Sequence, residues 1–152
     1  MKKIVVGSTL PSFTLKDQNG ESFSIDSVLG KKKLVIYFYP KDESAGCTRQ
    51  ACLFRDRFDV FADVGAMIIG ISAQSVKSHF EFARHHRLNF TLLSDPGNKV
   101  RKLFGVPGDL FGLVPGRVTY VINKDGKVVY TFNSQAQVEK HVEEALRILG
   151  EI

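Results

Sequence analysis

Residues 34–52 read LVIYFYPKDESAGCTRQAC, and they set the architecture that the rest of the chain follows. The first six of these residues form an unbroken apolar run of strand length, which Pro40 ends. Such a run is typical of a central strand that is buried on both faces. Beyond it, apolar residues recur at alternating intervals of four and three, which predicts a helix over residues 45–61 with the stripe Cys47, Ala51, Phe54, Phe58 and Phe61.

Further strands are predicted on both sides of this stretch. Towards the N-terminus, residues 13–15 and 22–25 alternate in polarity around Asn19-Gly20, a pattern that predicts a β-hairpin. Towards the C-terminus, apolar runs predict buried strands at 67–72 and 90–93 and a second antiparallel hairpin made of residues 118–122 and 128–132.

Three more helices are predicted from apolar periodicity. One covers residues 75–86, with Val76, Phe80 and Ala83 facing inwards, and a short one covers 98–104. The last helix begins with a Ser134-x-x-Gln137 capping box and ends at Gly150. Its apolar face is formed by Val138, Val142, Ala145 and Leu149.

The predicted elements follow the order β-β-β-α-β-α-β-α-β-β-α. A βαβ unit followed later by a ββα unit is the arrangement of a thioredoxin-like domain. We therefore expect an α/β fold in which helices flank a mixed central sheet and an N-terminal β-hairpin extends it. No linker, low-complexity segment or internal repeat interrupts the 152 residues, so we expect a single domain over residues 1–152.

The composition excludes several classes of protein. No apolar stretch approaches the roughly 20 residues that a transmembrane helix needs. The N-terminus carries two lysines but no hydrophobic segment of secretory length, so we expect a cytoplasmic protein. In that compartment the two cysteines, Cys47 and Cys52, are more often catalytic or redox-active than a static brace.

The net charge of +5 does not indicate a nucleic-acid partner. Residues 1–76 hold 10 Lys and Arg against 8 Asp and Glu, and residues 77–152 hold 11 against 8, so the excess is spread evenly. The longest basic run, residues 31–33, directly precedes the apolar strand. A solvated strand entrance explains it better than a phosphate-binding patch does.

Cys47 is the residue whose position most favours chemistry. It falls in the first turn of the predicted helix, where free backbone amides and the positive end of the helix dipole stabilise a thiolate. The same amides can hold an electron-rich oxygen of a substrate. Ser44, at the helix entrance, either caps the helix or bridges the thiolate and a bound oxygen. Pro40, with no N–H and a fixed φ, can cover the thiolate from the strand side.

Cys52 lies five residues after Cys47, which is too far for a disulfide on an intact helix. Ideal helix geometry separates the two Cα atoms by about 8–9 Å, whereas a disulfide needs about 7 Å or less. The pair therefore either never bonds or bonds only when the first turns of the helix unwind.

Other motifs give no competing site. His79, His85 and His86 share one predicted helix, but no further ligand occurs at a suitable spacing, so we expect a solvated basic face and no metal. The sequence contains no Gly-x-Gly-x-x-Gly, P-loop or Gly-x-Ser-x-Gly motif. Nucleotide-binding and serine-hydrolase functions are therefore not indicated.

Residues 37–56 resemble the active-site segment of the peroxiredoxins through the pattern Tyr-Phe-Tyr-Pro-Lys-Asp-x-x-x-Gly-Cys-Thr-x-x-Ala-Cys-x-Phe-Arg-Asp. The second cysteine, five residues after the first, resembles the peroxiredoxin Q subfamily, also called the bacterioferritin comigratory protein type. The similarity extends over nearly the whole chain. Residues 7–17 resemble the family's opening, residues 92–95 its central loop and residues 117–122 its late strand.

The resemblance implies a thiol-dependent peroxidase that reduces hydrogen peroxide and organic hydroperoxides. Cys47 would be the peroxidatic nucleophile, and Cys52 the resolving residue that forms an intramolecular disulfide with it. Arg117 matches the arginine that faces the thiolate. The substrate-binding residues implied in this way are Ser44, Gly46, Cys47 and Arg117, and Pro40 takes the position of the family's proline among the catalytic residues.

The resemblance also implies the partners of the enzyme. Thioredoxin, or a related dithiol donor, would reduce the disulfide, and no metal, flavin or haem would be required. A monomer is implied, although surface Phe side chains could support a dimer.

Two alternatives stay open at this point. The first is a general dithiol–disulfide oxidoreductase on the same fold, which the lack of a Cys-x-x-Cys motif disfavours. The second is a non-enzymatic binding or chaperone-like module, which the intact set of Ser44, Cys47 and Arg117 disfavours. Taken singly, Cys47 and Cys52 could be inert core residues and Arg117 half of a surface ion pair.

Overall fold

The apolar run that begins at residue 34 forms strand β3 (Lys33–Phe38) in the middle of a seven-stranded sheet. The structure is a computed structural model that describes residues 3–108 and 115–152. The other strands are β1 (Thr14–Asp17), β2 (Ser22–Ser24), β4 (Ala66–Ser72), β5 (Thr91–Ser94), β6 (Val118–Ile122) and β7 (Val128–Asn133). The helices are α1 (Ala45–Asp56), α2 (Phe58–Asp63), α3 (Val76–His85), α4 (Lys99–Phe104) and α5 (Val138–Leu149).

The strands are arranged in the order β2-β1-β5-β4-β3-β6-β7. Strand β3 pairs in parallel with β4 and antiparallel with β6, and β4 pairs in parallel with β5. The N-terminal hairpin of β1 and β2 joins the edge of the sheet through β5. The mixed sheet, its flanking helices and the N-terminal strand pair confirm the predicted thioredoxin-like α/β fold.

Alternate residues of β3 enter two hydrophobic clusters, one on each face of the sheet. Ile36 and Phe38 belong to the cluster that includes α4. Val35 and Tyr37 belong to the cluster that includes residues of α1, α2, α3 and α5. Cys47 is a member of this second cluster, so core packing holds the start of α1 against the sheet. Each large side chain buried there contributes about 1.5–3 kcal/mol.

The helix predicted over residues 45–61 is in fact two helices. Helix α1 ends at Asp56, and Arg57, with φ −102° and ψ 8°, separates it from α2. Phe61 is fully buried and Phe58 partly buried against the same cluster as α1. Because these two aromatic residues stay in phase with the core across the break, apolar periodicity did not reveal it.

The inward face of α3 differs from the prediction. Phe80 was expected to face inwards but is 48% exposed, whereas Phe82 and His79 are fully buried. The expectation of a solvated face at His79 is therefore wrong. Both ring nitrogens of His79 have hydrogen-bonding partners in the core, so a side chain that the pattern scores as polar can be buried there.

The predicted apolar face of α5 is confirmed. Val138, Val142, Ala145 and Leu149 are all buried. The Ser134 hydroxyl accepts a hydrogen bond from the Gln137 amide at 3.1 Å, but the helix begins only at Val138. Within the described residues, no helix combines the length and the apolar character that crossing a bilayer requires.

Candidate active site

Cys47 is the third residue of α1, and its side chain is 1% exposed. The first hydrogen bond within the helix runs from the Thr48 amide to the Ser44 carbonyl at 2.9 Å. The amides of Gly46 and Cys47 precede that bond and have no carbonyl to pair with inside the helix. The cysteine therefore lies where the helix dipole and unpaired N–H groups favour an anion.

Ser44 occupies the N-cap position of α1 but does not cap the helix with its side chain. Its hydroxyl instead donates a hydrogen bond to the Lys41 carbonyl at 2.9 Å. Of the two roles considered for Ser44, the capping hydrogen bond is wrong. The donated proton leaves the lone pairs of the hydroxyl oxygen to accept a hydrogen bond from a bound molecule.

Arg117, immediately before β6, turns its guanidinium towards the start of α1. The residue is 4% exposed, its Nε donates to the Gln135 carbonyl at 3.1 Å, and its Nη1 donates to Gln50 Oε1 at 2.6 Å. A β-carbon added to Gly46 would lie 3.0 Å from Nη2, so the absence of a side chain at Gly46 allows this close approach. The structure thus brings Arg117 beside the residue that precedes Cys47, and the possibility of a surface arginine is excluded.

Gln50 is a site residue that sequence reasoning missed. It lies three residues after Cys47 on α1, which is the spacing of neighbouring side chains on one face of a helix, and it is fully buried. Its Oε1 holds Arg117, whereas its buried Nε2 has no hydrogen-bonding partner in the part of the chain that the structure describes. Its spacing from Cys47 is the one signal that could have identified it.

A buried histidine fixes the segment behind Arg117. Thr119 Oγ1 lies 2.7 Å from His141 Nδ1, and His141 Nε2 lies 2.7 Å from the Ser134 carbonyl. The Ser134 amide in turn donates to the Arg117 carbonyl at 3.2 Å. Burial lowers the pKa of His141 to about 4, and the positive charge of Arg117 acts in the same direction. The ring is therefore neutral at pH 7, bonded at both nitrogens.

Asp42 anchors the loop between β3 and α1 to α3. Its carboxylate accepts hydrogen bonds from Tyr39 Oη at 2.6 Å and Ser78 Oγ at 2.8 Å, and His79 Nδ1 lies 2.6 Å from it. Burial by itself raises the pKa of Asp42, but the hydrogen bonds and charge of these partners, His79 above all, outweigh burial and lower the pKa below its ordinary value. Sequence reasoning did not identify this anchor.

Pro40 is held through its backbone at the end of β4. Its carbonyl lies 3.5 Å from both Ser72 Oγ and Gln74 Nε2, and Gln74 Oε1 accepts the Asp42 amide at 2.9 Å. These bonds fix the course of the loop that precedes Cys47. The predicted role of Pro40, to cover the thiolate from the strand side, stays a prediction.

A second buried arginine frames the site from α4. Arg101 Nη1 donates to the Gly116 carbonyl at 2.9 Å, and its Nη2 donates to the Tyr39 carbonyl at 3.4 Å. Asp95 holds the start of α4 by accepting the amides of Val100 and Arg101, each at 2.9 Å. Arg101 thus positions the residue next to Arg117 without being among the predicted site residues.

Cys47 and Cys52 are both free thiols. They lie on one unbroken helix, α1, and Cys52 is only partly buried. The helical backbone keeps their Cα atoms about 8–9 Å apart, beyond the reach of a disulfide. The structure therefore brings Arg117 to Gly46, which directly precedes Cys47, but does not join the two cysteines.

A hollow of about 760 Å³ lies elsewhere, at the start of β3 and β4. Residues 31–33 line it together with Phe58 and Phe90, and Cys47 does not. The predicted reactive cysteine therefore lies outside this hollow, in the packed start of α1.

Comparison with known proteins identifies the family. A family model described as the AhpC/TSA family matches residues 6–131. The chloroplastic peroxiredoxin Q of Sedum lineare is 54% identical over 147 residues, which cover 97% of this chain and 78% of that protein. The chloroplastic peroxiredoxin Q of Arabidopsis thaliana is also 54% identical, over 97% of this chain and 68% of that protein.

Solved structures agree with the sequence comparison. The crystal structure of peroxidoxin BcpB from Mycobacterium tuberculosis superposes with a TM-score of 0.90 at 37% identity, covering 98% of each chain. A peroxiredoxin Q structure from Xanthomonas campestris gives a TM-score of 0.83 at 31% identity over 91% of this chain and 90% of that one. The chain therefore belongs to the peroxiredoxin Q proteins of the AhpC/TSA family and is a thiol peroxidase, which confirms the resemblance and excludes the non-enzymatic alternative.

Proposed function

We propose that this peroxidase reduces hydrogen peroxide and organic hydroperoxides with Cys47 as nucleophile and Cys52 as resolving thiol. The observation that carries the proposal is the approach of Arg117 Nη2 to Gly46, one residue before Cys47 at the start of α1. A buried guanidinium and the first amides of a helix then lie next to the residue that we assign as the nucleophile. That arrangement stabilises negative charge on the sulfur and on an oxygen bound beside it.

The first half-reaction oxidises Cys47 by two electrons. The thiolate attacks the terminal oxygen of the hydroperoxide, and an S–O bond forms as the O–O bond breaks. The departing oxygen keeps the bonding pair and takes up a proton to become water or an alcohol, which leaves a sulfenic acid on Cys47. Arg117 and the amides of Gly46 and Cys47 stabilise the developing charge, while the Ser44 oxygen accepts a hydrogen bond from the peroxide.

The second half-reaction joins the two cysteines. The Cys52 thiolate attacks the sulfenic sulfur of Cys47, so that an S–S bond forms as the S–O bond breaks, and the departing hydroxide takes up a proton to become water. Because the helix keeps the Cα atoms about 8–9 Å apart, the first turns of α1 must unwind before the sulfurs meet.

That unwinding breaks specific polar interactions of α1 in addition to the core packing of its buried face. The hydrogen bond from the Thr48 amide to the Ser44 carbonyl breaks, and so does the hydrogen bond from Arg117 to Gln50. Arg49 also gives up its ion pair with Glu139 of α5. Both partners of this pair are well exposed, so it contributes only about 0.2–1 kcal/mol.

A dithiol donor completes the cycle. A thiolate of thioredoxin or a related protein attacks the Cys47–Cys52 disulfide, a mixed disulfide forms, and the donor's second thiol resolves it. The donor supplies both electrons that the peroxide consumes. The cycle therefore needs no further redox cofactor.

A general dithiol–disulfide oxidoreductase is the second candidate. Such an enzyme would pass its disulfide to other proteins without peroxide. The position of Cys47 and Cys52 on unbroken α1 disfavours it, because oxidation must be coupled to opening of the helix.

Location and assembly stay predictions. The relatives named above are called chloroplastic, whereas the sequence predicts a cytoplasmic protein. A monomer is predicted, and among the described residues Phe80, 48% exposed on α3, is an aromatic side chain that would support a dimer. Size-exclusion chromatography with light scattering distinguishes the two assemblies.

A peroxide-dependent assay with thioredoxin and its reductase tests the mechanism. We expect Cys47→Ser to abolish turnover. Cys52→Ser should consume one equivalent of peroxide, form a sulfenic acid that a dione reagent traps, and then stop. Undiminished turnover in Cys47→Ser would overturn the role of Cys47, and steady turnover in Cys52→Ser the role of Cys52. Reduction of a protein disulfide without peroxide would favour the general oxidoreductase.

A further inference from the structure

Glu43 brings a carboxylate to the two histidines at the end of α3. It lies in the loop directly before Ser44, and its backbone has φ +64°, a left-handed conformation that residues other than glycine adopt infrequently. Glu43 Oε1 lies 2.7 Å from His86 Nε2, and Oε2 lies 3.0 Å from His85 Nδ1. Taking one ligand atom from each of the three residues, these atoms all lie within 4.8 Å of one another.

The chemistry of these donors is that of a transition-metal site. Two imidazole nitrogens and one carboxylate form a three-ligand set that Zn²⁺ accepts in proteins, with room for a water ligand.

The distances are compatible with coordination. In a tetrahedral Zn²⁺ site with bonds of about 2.0–2.1 Å, neighbouring ligand atoms are about 3.3 Å apart. From Glu43 Oε1, His86 Nε2 lies 2.7 Å away and His85 Nδ1 lies 3.3 Å away, so both separations are within 1 Å of that value. His85 and Glu43 are also accessible to an ion from solvent, with side chains 68% and 47% exposed.

We propose that Glu43, His85 and His86 bind one divalent transition-metal ion. Two nitrogen donors favour Zn²⁺ and Cu²⁺ over Mg²⁺ and Ca²⁺, which prefer an all-oxygen shell. The sequence argued against a metal because no third ligand follows the histidines along the chain. The fold supplies that ligand from a loop more than forty residues earlier.

The site has a consequence for the proposed peroxidase cycle, on which this step of the inference rests. Glu43 is four residues before Cys47, and its metal bond would tie the loop that enters α1 to the end of α3. The loop must move when α1 unwinds to bring Cys47 and Cys52 together. A bound metal therefore slows disulfide formation without touching either sulfur.

Binding is tested in the full-length chain with Cys47→Ser and Cys52→Ser, so that no thiol can take up the ion. Isothermal titration of chelator-treated protein with ZnCl₂ should give one site, and MgCl₂ should give none. In this background, adding Glu43→Gln or His85→Ala should lower the affinity for Zn²⁺ by at least roughly 10- to 100-fold. That is the loss that follows when a residue that only hydrogen-bonds to a metal ligand is removed. Glu81 is an exposed acidic residue on α3, the helix that carries His85, and Glu81→Gln should leave Zn²⁺ binding unchanged.

The outcome of this titration does not depend on the peroxidase mechanism, because the variant with Cys47→Ser and Cys52→Ser lacks both thiols. Absence of a one-equivalent site, or equal binding in Glu43→Gln, would overturn the proposal. In the chain with both cysteines, one equivalent of Zn²⁺ should slow Cys47–Cys52 disulfide formation, and Glu43→Gln should remove this effect. If inhibition persists in Glu43→Gln, the ion acts at the thiols, and the proposed metal link between the loop and α3 does not slow disulfide formation.

Discussion

Arg117 Nη1 donates a 2.6 Å hydrogen bond to Oε1 of Gln50, three residues after Cys47 on α1. One buried amide thus connects the arginine before β6 to the helix that carries both cysteines. The bond therefore couples the position of the arginine that we propose to face the peroxide to the helix that we propose to unwind.

Gln50 should position Arg117 for the attack on peroxide. In Gln50→Leu the guanidinium loses an acceptor worth about 1.5–3 kcal/mol, so we expect the rate constant of Cys47 with peroxide to fall about 10- to 100-fold. Gln50→Glu keeps an acceptor for Arg117 but adds a buried carboxylate that offsets the guanidinium charge, so its rate should stay below that of the wild type. If Gln50 had only a structural role, the peroxide rate constants of Gln50→Leu and Gln50→Glu would instead rank in the same order as their melting temperatures.

Gly46 is required for the close approach of Arg117. In Gly46→Ala the new β-carbon would lie 3.0 Å from Nη2, so the guanidinium must shift by a few tenths of an ångström. Alanine within a helix is favoured over glycine by about 1 kcal/mol. We therefore expect an unchanged or higher melting temperature together with a several-fold slower reaction of Cys47 with peroxide.

Ala45→Gly is the matched control for Gly46→Ala. It changes helix propensity in the opposite sense at an exposed neighbouring position. Its peroxide rate should equal that of the wild type. An unaltered rate in Gly46→Ala would show that the contact with Arg117 does not matter for catalysis.

Oxidation should unwind the start of α1. A disulfide between Cys47 and Cys52 cannot form on the helix, so hydrogen-exchange protection over residues 45–52 should decrease after treatment with peroxide. Peroxide-treated Cys52→Ser, which forms no disulfide, should keep its protection. Full protection in a protein with a verified Cys47–Cys52 bond would contradict the unwinding mechanism.

The free energy of unfolding should decrease as the pH is lowered below about 6.5, because of His141. Its pKa is about 4 in the folded protein and 6.5 in the unfolded chain, so between these values the unfolded chain binds more protons and stability decreases as pH falls. The loss attributable to this residue between pH 7 and 4 is about 3 kcal/mol. Denaturant unfolding of His141→Gln should show a shallower pH dependence, and an identical dependence would contradict this assignment.

Asp42 should act at lower pH. Its pKa is depressed in the folded protein below the ordinary 3.8, so the stability that it provides is fully present above that value and is lost as pH falls through the folded pKa. Unfolding curves of Asp42→Asn measured below pH 4 should therefore vary less with pH than those of the wild type. If the stability of Asp42→Asn varied with pH as strongly as that of the wild type, Asp42 would be excluded as the titrating group.

Local patterns were sufficient for most secondary-structure elements. The run of residues 34–39, the turn at Asn19-Gly20 and the face of α5 were recognisable because the buried side of each element repeats with the period of its own backbone. The same rule failed on α3, where Phe80 is exposed and His79 buried. Periodicity assigns a histidine to solvent, and only its pairing with Asp42, 37 residues away, makes its burial favourable.

By itself the amino-acid sequence determined the fold class, the family and the placement of Cys47 at a helix start, because these depend on hydrophobic periodicity and on a motif contained in twenty consecutive residues. Only the tertiary structure decided which groups surround that cysteine. Gln50 meets Arg117 across 67 residues, and Glu43 meets His86 across 43. Such contacts arise when strands and helices pack together, and no spacing along the chain specifies which distant polar groups then satisfy one another.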